Sequence, residues 1–496
     1  MTINMLEDDI LLDMFNYYRL DDENAWNERI GWCKLSHVCR RWRQLVYSST
    51  FHLGMHIRCT QGTPIVDTLG HLPPLPLFIS YCLKIHCEYG DVDLWRWVPI
   101  RGEDELGLYH ALRLPDRVRR IDLRLRSSTL NQSVMLMDKP FPILEHLSLL
   151  VINGEITALT LPTTFFAPNL RHLILHSIGL PKRLRLLTST ISLVTLALWN
   201  LPASSYFRPK LLVARLQSLP QLEELSIGFS IPIPRPNAER ELLGKQGTPM
   251  MLSKLKIFQY QGVSAYLERL VSQMRAPLLG RLDITLFNQI AFTLPHLTYF
   301  VNLAEQIKLH NVIVSFKRDE VSIATDFEHA LWDRSFVLHV RCGQLDWQID
   351  SMGQICGALK PMLSGVDKLT LYFQEDSYYM PTGWQVDGTT WQELLRSFIG
   401  AKELFIDFKL KEELSRALEV DDIGSDPGFL PRLKELIFSD HIGAQEDNLF
   451  GSFIQARRLA GRPISSRLDE PPITDLAPIP PRKPFRNVYL PTFHSR

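Results

Sequence analysis

Three residues near the start of the chain have a spacing suited to a metal ion. His52, His56 and Cys59 stand at i, i+4 and i+7, which on a helix would turn two imidazoles and a thiolate to one side. A zinc centre needs a fourth ligand at a diagnostic spacing, and His71, Cys82, His86 and Cys87 are too dispersed to supply it. The expectation is therefore no metal and no cofactor. Cys39 lies beside Arg40 and Arg41, whose charges would favour a thiolate. It also lies in an apolar stripe, which favours a buried, inert thiol. Phosphate-binding, dinucleotide-binding, nucleophile-elbow and zinc-protease motifs are all missing, and "ELLGKQG" lacks the first glycine of a P-loop. No residue constellation carries bond chemistry, so the chain reads as a non-enzyme.

Binding is the remaining chemistry. "RLPDRVRRIDLRLR" concentrates arginines at 113, 117, 119, 120, 124 and 126. Alternate strand residues share a face, so Arg120, Arg124 and Arg126 form a candidate basic stripe for an acidic or phosphorylated ligand. The competing reading is a solvated face neutralised by ion pairs. Trp95 and Trp97 in "WRW", and Tyr378 and Trp384 in "YYMPTGW", are aromatic loop residues of the type that anchors protein interfaces or packs loops down.

The elements that position these residues follow from composition and periodicity. With 54 basic and 54 acidic side chains the formal net charge is zero, so no global field points to nucleic acid or to an anionic membrane. Seven scattered cysteines do not form a disulfide framework, which favours a reducing compartment, cytoplasmic or nuclear. No signal peptide is expected where Glu7, Asp8 and Asp9 stand, and no apolar run is long enough to span a bilayer.

Residues 1–50 read as helical. "MLEDDILLDMFNYY" puts Leu6, Ile10, Met14 and Tyr17 on one face, with Leu11 and Phe15 beside them. "WCKLSHVCRRWRQLV" carries Leu35, Val38, Cys39, Trp42, Leu45 and Val46 as one helical stripe. So short a segment closes only a small core and must lean on something else. Residues 51–83 read as a hinge, with a short helix near Val66–Leu69, a rigid turn at Pro73, Pro74 and Pro76, and a strand through Leu77–Tyr81.

From about residue 118 the form L-x-x-L-x-L recurs, centred on Ile121, Leu147, Leu173, Leu196, Leu225, Leu255 and Leu282. It weakens through 290–360, where "QIKLHNVIVSF" and "SFVLHVRC" read as degenerate strands. It returns around Leu369, Leu404 and Leu436. Spacings of this size, with helical stretches between the strands, are those of leucine-rich repeats. The expected fold class is α/β: a small helical module, then an irregular repeat solenoid of parallel strands and helices over 84–463. "LFGSFIQARRLAG" reads as a last, capping helix, and 464–496 as a proline-rich, disordered tail.

"LEDDILLDMF", a spacer, then "WCKLSHVCRRWRQLV" resembles the F-box. Leu6, Ile10, Leu11, Phe15, Leu35, Val38, Cys39, Arg41, Trp42 and Leu45 match its pattern in type and order. Glu7 stands where proline is usual, and the spacer Asn16–Gly31 is long. The following "CTQGTPIVDTLGHLPPLPLFISY" is similar to the segment after the F-box in an F-box-like family of mushroom-forming fungi, which also carries degenerate leucine-rich repeats. The resemblance implies a substrate-recognition subunit of a cullin–RING ubiquitin ligase. Leu6, Ile10, Leu11, Leu35, Val38, Cys39 and Trp42 would then meet the ligase's adaptor protein, and the repeats would hold an unidentified protein substrate. The alternative is an interaction scaffold whose F-box-like segment is a structural cap.

Overall fold

The computed structural model describes residues 6–20, 31–49, 56–71, 74–82, 100, 102–152, 159–181, 185–230, 249–325, 335–374, 386–419, 426, 428–439 and 449–469. The chain divides into two units, one of residues 1–207 and 218–222, the other of 208–217 and 223–496.

The first unit begins with helices Asp8–Leu20, Gly31–Ser36 and Arg40–Ser48. Asp8 and Asp9 occupy the first turn of the first helix, where negative charge suits the helix dipole. The stripe from Trp32 to Val46 is not one helix, as its spacing suggested, but two. At the break Cys39 takes an extended backbone, and its Sγ accepts a hydrogen bond from the Trp42 amide at 3.4 Å. A thiol in the N-cap position restarts the helix, a role that apolar periodicity does not encode.

Six parallel strands follow side by side in chain order: β1 (Ile57–Cys59), β2 (Leu77–Cys82), β3 (Val118–Arg126), β4 (His146–Ile152), β5 (His172–His176) and β6 (Thr195–Leu201). The hinge expected over 51–83 thus supplies the first two strands of the sheet. Its helix, Ile65–His71, and the strand after the prolines fall where the sequence put them. Cys59, Ile79, Ile121, Leu147, Leu173 and Leu196 stand level across the six strands, and all are fully buried. Each repeat's leucine therefore packs against the next repeat's leucine, which no single repeat could arrange alone.

The second unit holds β7 (Glu224–Phe229), β8 (Met250–Met251), β9 (Ile257–Gly262), β10 (Met274–Arg275), β11 (Arg281–Phe287), β12 (Asn311–Phe316), β13 (Val321–Thr325), β14 (Ser335–Arg341), β15 (Lys368–Phe373), β16 (Glu403–Ile406), β17 (Glu435–Ser439) and β18 (Ser465–Asp469). Strands β8 and β10 form a separate small parallel pair. The others run in the order β7-β9-β11-β14-β13-β12-β15-β16-β17-β18. Neighbours are parallel except β13, which is antiparallel to both β12 and β14. The chain thus skips two places after β11, enters at β12, and fills the gap backwards through β13 and β14. A tight turn starts the return, in which the Lys317 amide donates to the Glu320 carbonyl at 2.8 Å. This reversed triplet lies where the repeat pattern weakens. Strands β12 and β14 match the two degenerate strands read there; β13, on "VSIAT", was not anticipated.

Two further differences concern register and the C-terminus. Phe258, not Leu255, stands level with Leu225 and Leu282, so the strand motif there is "LKIFQY", displaced three residues from the one expected. Helix Gly451–Leu459 is not the last element either, because β18 pairs parallel to β17 within the expected tail. Among the described residues no helix is long and apolar enough to cross a membrane.

Candidate functional site

Two surfaces of the first unit gather the residues singled out by sequence. The first lies on the N-terminal helices. Leu11, Phe15 and Val46 are buried, and the Phe15 and Trp42 rings meet edge to face with centroids 4.7 Å apart. Arg41 fastens the third helix to the start of the first: Nε donates to Asp8 Oδ1 at 3.0 Å and Nη2 donates to the Leu6 carbonyl at 2.6 Å. Arg43 Nε donates to the Ser36 carbonyl at 2.9 Å, closing the break between the second and third helices.

This small core leaves the other side uncovered. Ile10 is 47 % exposed, Met14 45 % and Val38 59 %. Ile10 and Met14 are one turn apart on the same helix, so they form an apolar stripe beside Leu11 and Phe15. The seven residues named for adaptor contact therefore separate. Ile10 and Val38 are exposed, while Leu6 and Leu35 are half-buried. Cys39 and Trp42 are half-buried and engaged in the cap and the aromatic pair. Leu11 is fully buried and belongs to the core of the helical unit, not to its surface.

The second surface is the sheet face away from the leucine row. Across β1 to β6 one level reads Arg58, Phe78, Arg120, His146, His172 and Thr195. The His56 ring stacks on Phe78 at 3.8 Å, and Arg58 Nε donates to His56 Nε2 at 3.2 Å. Farther along β3, Arg124 Nε lies 3.8 Å from Asp122 Oδ1. Arg120 and Arg124 do share a face, as strand alternation required, but Arg124 has a carboxylate beside it. Arg120 makes no hydrogen bond or ion pair among the described residues. Burial lowers the pKa of His146 to about 3, and the charge of Arg120 and the neighbouring His172 act in the same direction. At neutral pH His146 is therefore a neutral imidazole beside the guanidinium charge of Arg120.

His56 and Cys59 sit at and in a strand, so the helical geometry that would group them with His52 is not formed. Burial pushes the Cys59 thiol up to about 12, against the pull of Arg117, which leaves it protonated and inert. His52, Trp95, Trp97, Tyr378 and Trp384 lie outside the described residues. The sequence reading missed Arg58, Phe78, His146 and His172. Their signal was available: in β4 and β5 each histidine immediately precedes the repeat's central leucine, the position that faces away from the core.

No family model matches the chain, and no curated protein does. Among solved structures it is similar to the leucine-rich repeat-containing protein LegL7 of Legionella pneumophila, at 12% identity and a TM-score of 0.24, over 82% of this chain and 98% of that one. The repeat architecture described above rests on strand register and the leucine rows.

Proposed function

We propose that this chain is a non-enzymatic interaction protein of the cytoplasm or nucleus that works as a substrate-recognition subunit of a cullin–RING ubiquitin ligase. Its N-terminal helices dock on the ligase's adaptor, and its repeat units hold a protein target. The observation that carries the reading is the uncovered Ile10–Met14 stripe with Val38, on a helical unit whose core, among the described residues, is little more than Leu11, Phe15, Trp42 and Val46. An exposed apolar patch on so small a unit is characteristic of a protein-contact surface. The F-box resemblance supplies the identity of the partner. The function follows from tethering: binding both partners raises the target's concentration near the charged conjugating enzyme, and the bond chemistry belongs to the partners. Neither nucleic acid nor membrane enters this reading.

The test is capture of the adaptor by the purified chain, wild type beside Ile10→Asp and Val38→Asp. Both side chains are largely exposed, so both variants should keep the wild-type circular dichroism spectrum. Adaptor captured by wild type and lost in the variants is the expected result. A folded wild-type chain that captures no adaptor overturns the reading. It would favour a repeat scaffold capped by its N-terminal helices, a role to which the Arg41–Asp8 and Arg41–Leu6 fastenings are suited.

A further inference from the structure

The outer level of the first sheet places two arginines on the strands either side of an aromatic residue. Arg58 on β1 is level with Phe78 on β2, and Phe78 is level with Arg120 on β3. Two strand spacings of ~4.8 Å put the two arginine backbones roughly 10 Å apart. Each side chain is long enough to reach a ligand midway between them. Arg58 is exposed, and Phe78 and Arg120 are half-buried. Neither arginine has a carboxylate partner among the described residues, whereas Arg119 is held by Glu145 and Arg124 by Asp122. On the far side of Arg120 stands His146, whose Nε2 is buried and has no hydrogen-bond partner.

We infer that this level is a binding site for a phosphorylated segment of a target protein, its phosphoryl group held between Arg58 and Arg120 over the Phe78 and His56 rings. The inference deepens the proposed function by naming the class of target, and it rests on the repeat units being the target-binding part. Charge complementarity selects the occupant. A carboxylate has two oxygens and is satisfied by one guanidinium fork. A phosphoryl group has about two charges and three acceptor oxygens, which suit two forks. The Phe78–His56 stack, 3.8 Å between rings, gives the flanking peptide an apolar floor. Arg124 takes no part, because Asp122 already neutralises it.

The experiment is fluorescence polarisation of the full chain with a labelled degenerate peptide pool containing one phosphoserine or phosphothreonine, beside the same pool unphosphorylated and a polyuridylate control. Arg58→Ala and Arg120→Ala should each weaken binding of the phosphorylated pool by about tenfold or more. Arg124→Ala should leave it within about twofold, and inorganic phosphate should compete. Equal binding of the two peptide pools overturns the inference. So does tighter binding of polyuridylate, which would mark a general polyanion surface, or a loss in Arg124→Ala as large as in Arg120→Ala. Adaptor capture is measured on the same preparations. Arg120→Ala that loses peptide but keeps adaptor separates this site from the docking helices. Phosphopeptide bound without adaptor capture leaves this site standing while the ligase reading falls.

Discussion

Arg457 donates through Nη2 to the carbonyl oxygen of Leu430 at 3.2 Å, and Leu430 itself is held at φ +40°. The same guanidinium reaches the carbonyls of Phe429 and Leu433 at 3.2 and 3.3 Å. The side chain is fully buried, and its charge is met by carbonyl dipoles rather than by a carboxylate. It comes from the helix between β17 and β18 and clamps the turn that leads into β17, so it closes the C-terminal end of the sheet. Arg457→Ala strips three acceptors at once and should cost about 3 kcal/mol in urea denaturation. Arg457→Lys, with one compact donor group, should recover only part of that.

The N-terminal helices separate packing from docking. Trp42→Ala removes the partner of Phe15 and should destabilise the helical unit by about 2–3 kcal/mol, read as lost helical signal on mild heating. Ile10→Asp should leave that signal unchanged. If both variants melt alike, Ile10 is part of the core.

In the reversed triplet, His339 on β14 and Glu320 at the turn before β13 are 3.0 Å apart. Burial works against charge on both. The hydrogen bond and the charge attraction between them, with further opposite charges nearby, together outweigh it, so His339 is held above its ordinary pKa and Glu320 below its own, with Lys317 and Arg341 also favouring the Glu320 carboxylate. The histidine's contribution is complete below its unfolded pKa and is lost as pH rises through the folded value. The glutamate's is complete above its unfolded pKa and is lost as pH falls through the folded value. Stability should therefore decline on both the acid and the alkaline side of an intermediate plateau. His339→Gln should flatten the alkaline decline, measured as Tm against pH.

Glu268, on helix Ser264–Val271, accepts the amides of His296 and Leu297 at 2.8 and 2.9 Å and so caps the next repeat's helix, Pro295–Asn302. Burial raises its pKa to about 7, against the pull of those two hydrogen bonds. The folded state then holds a proton that the unfolded state has released, so stability falls between the unfolded carboxyl value and about pH 7. Glu268→Gln should abolish that slope. Glu268→Ala should lower stability by about 1–2 kcal/mol through two unsatisfied amides.

The leucine rows were legible because one residue type recurred at one spacing: Ile121, Leu147, Leu173 and Leu196 fell level as read. Phe258 was not legible, because an aromatic fills the leucine's place there while Leu252 and Leu255 imitate the motif upstream. Cys39 shows a second limit, since a chain break stabilised by a side-chain cap preserves apolar spacing on either side. Of the basic stripe, Arg120 was legible from strand alternation. Arg58 was not, because its short strand lay in a segment marked by prolines rather than by leucines.

The reversed triplet changes how the second unit comes apart. In a plain repeat array each strand borders the one that follows it in sequence, and unravelling from an end releases one repeat at a time. Here β11 borders β14, and β12 borders β15. Releasing β15 and everything after it still leaves β12 pinned through β13 to β14, and β14 to β11. The block from Arg281 to Arg341 must open together, so force or denaturant that peels outer repeats should stop at it. The least regular stretch of the sequence is thereby the most cooperative part of the unit.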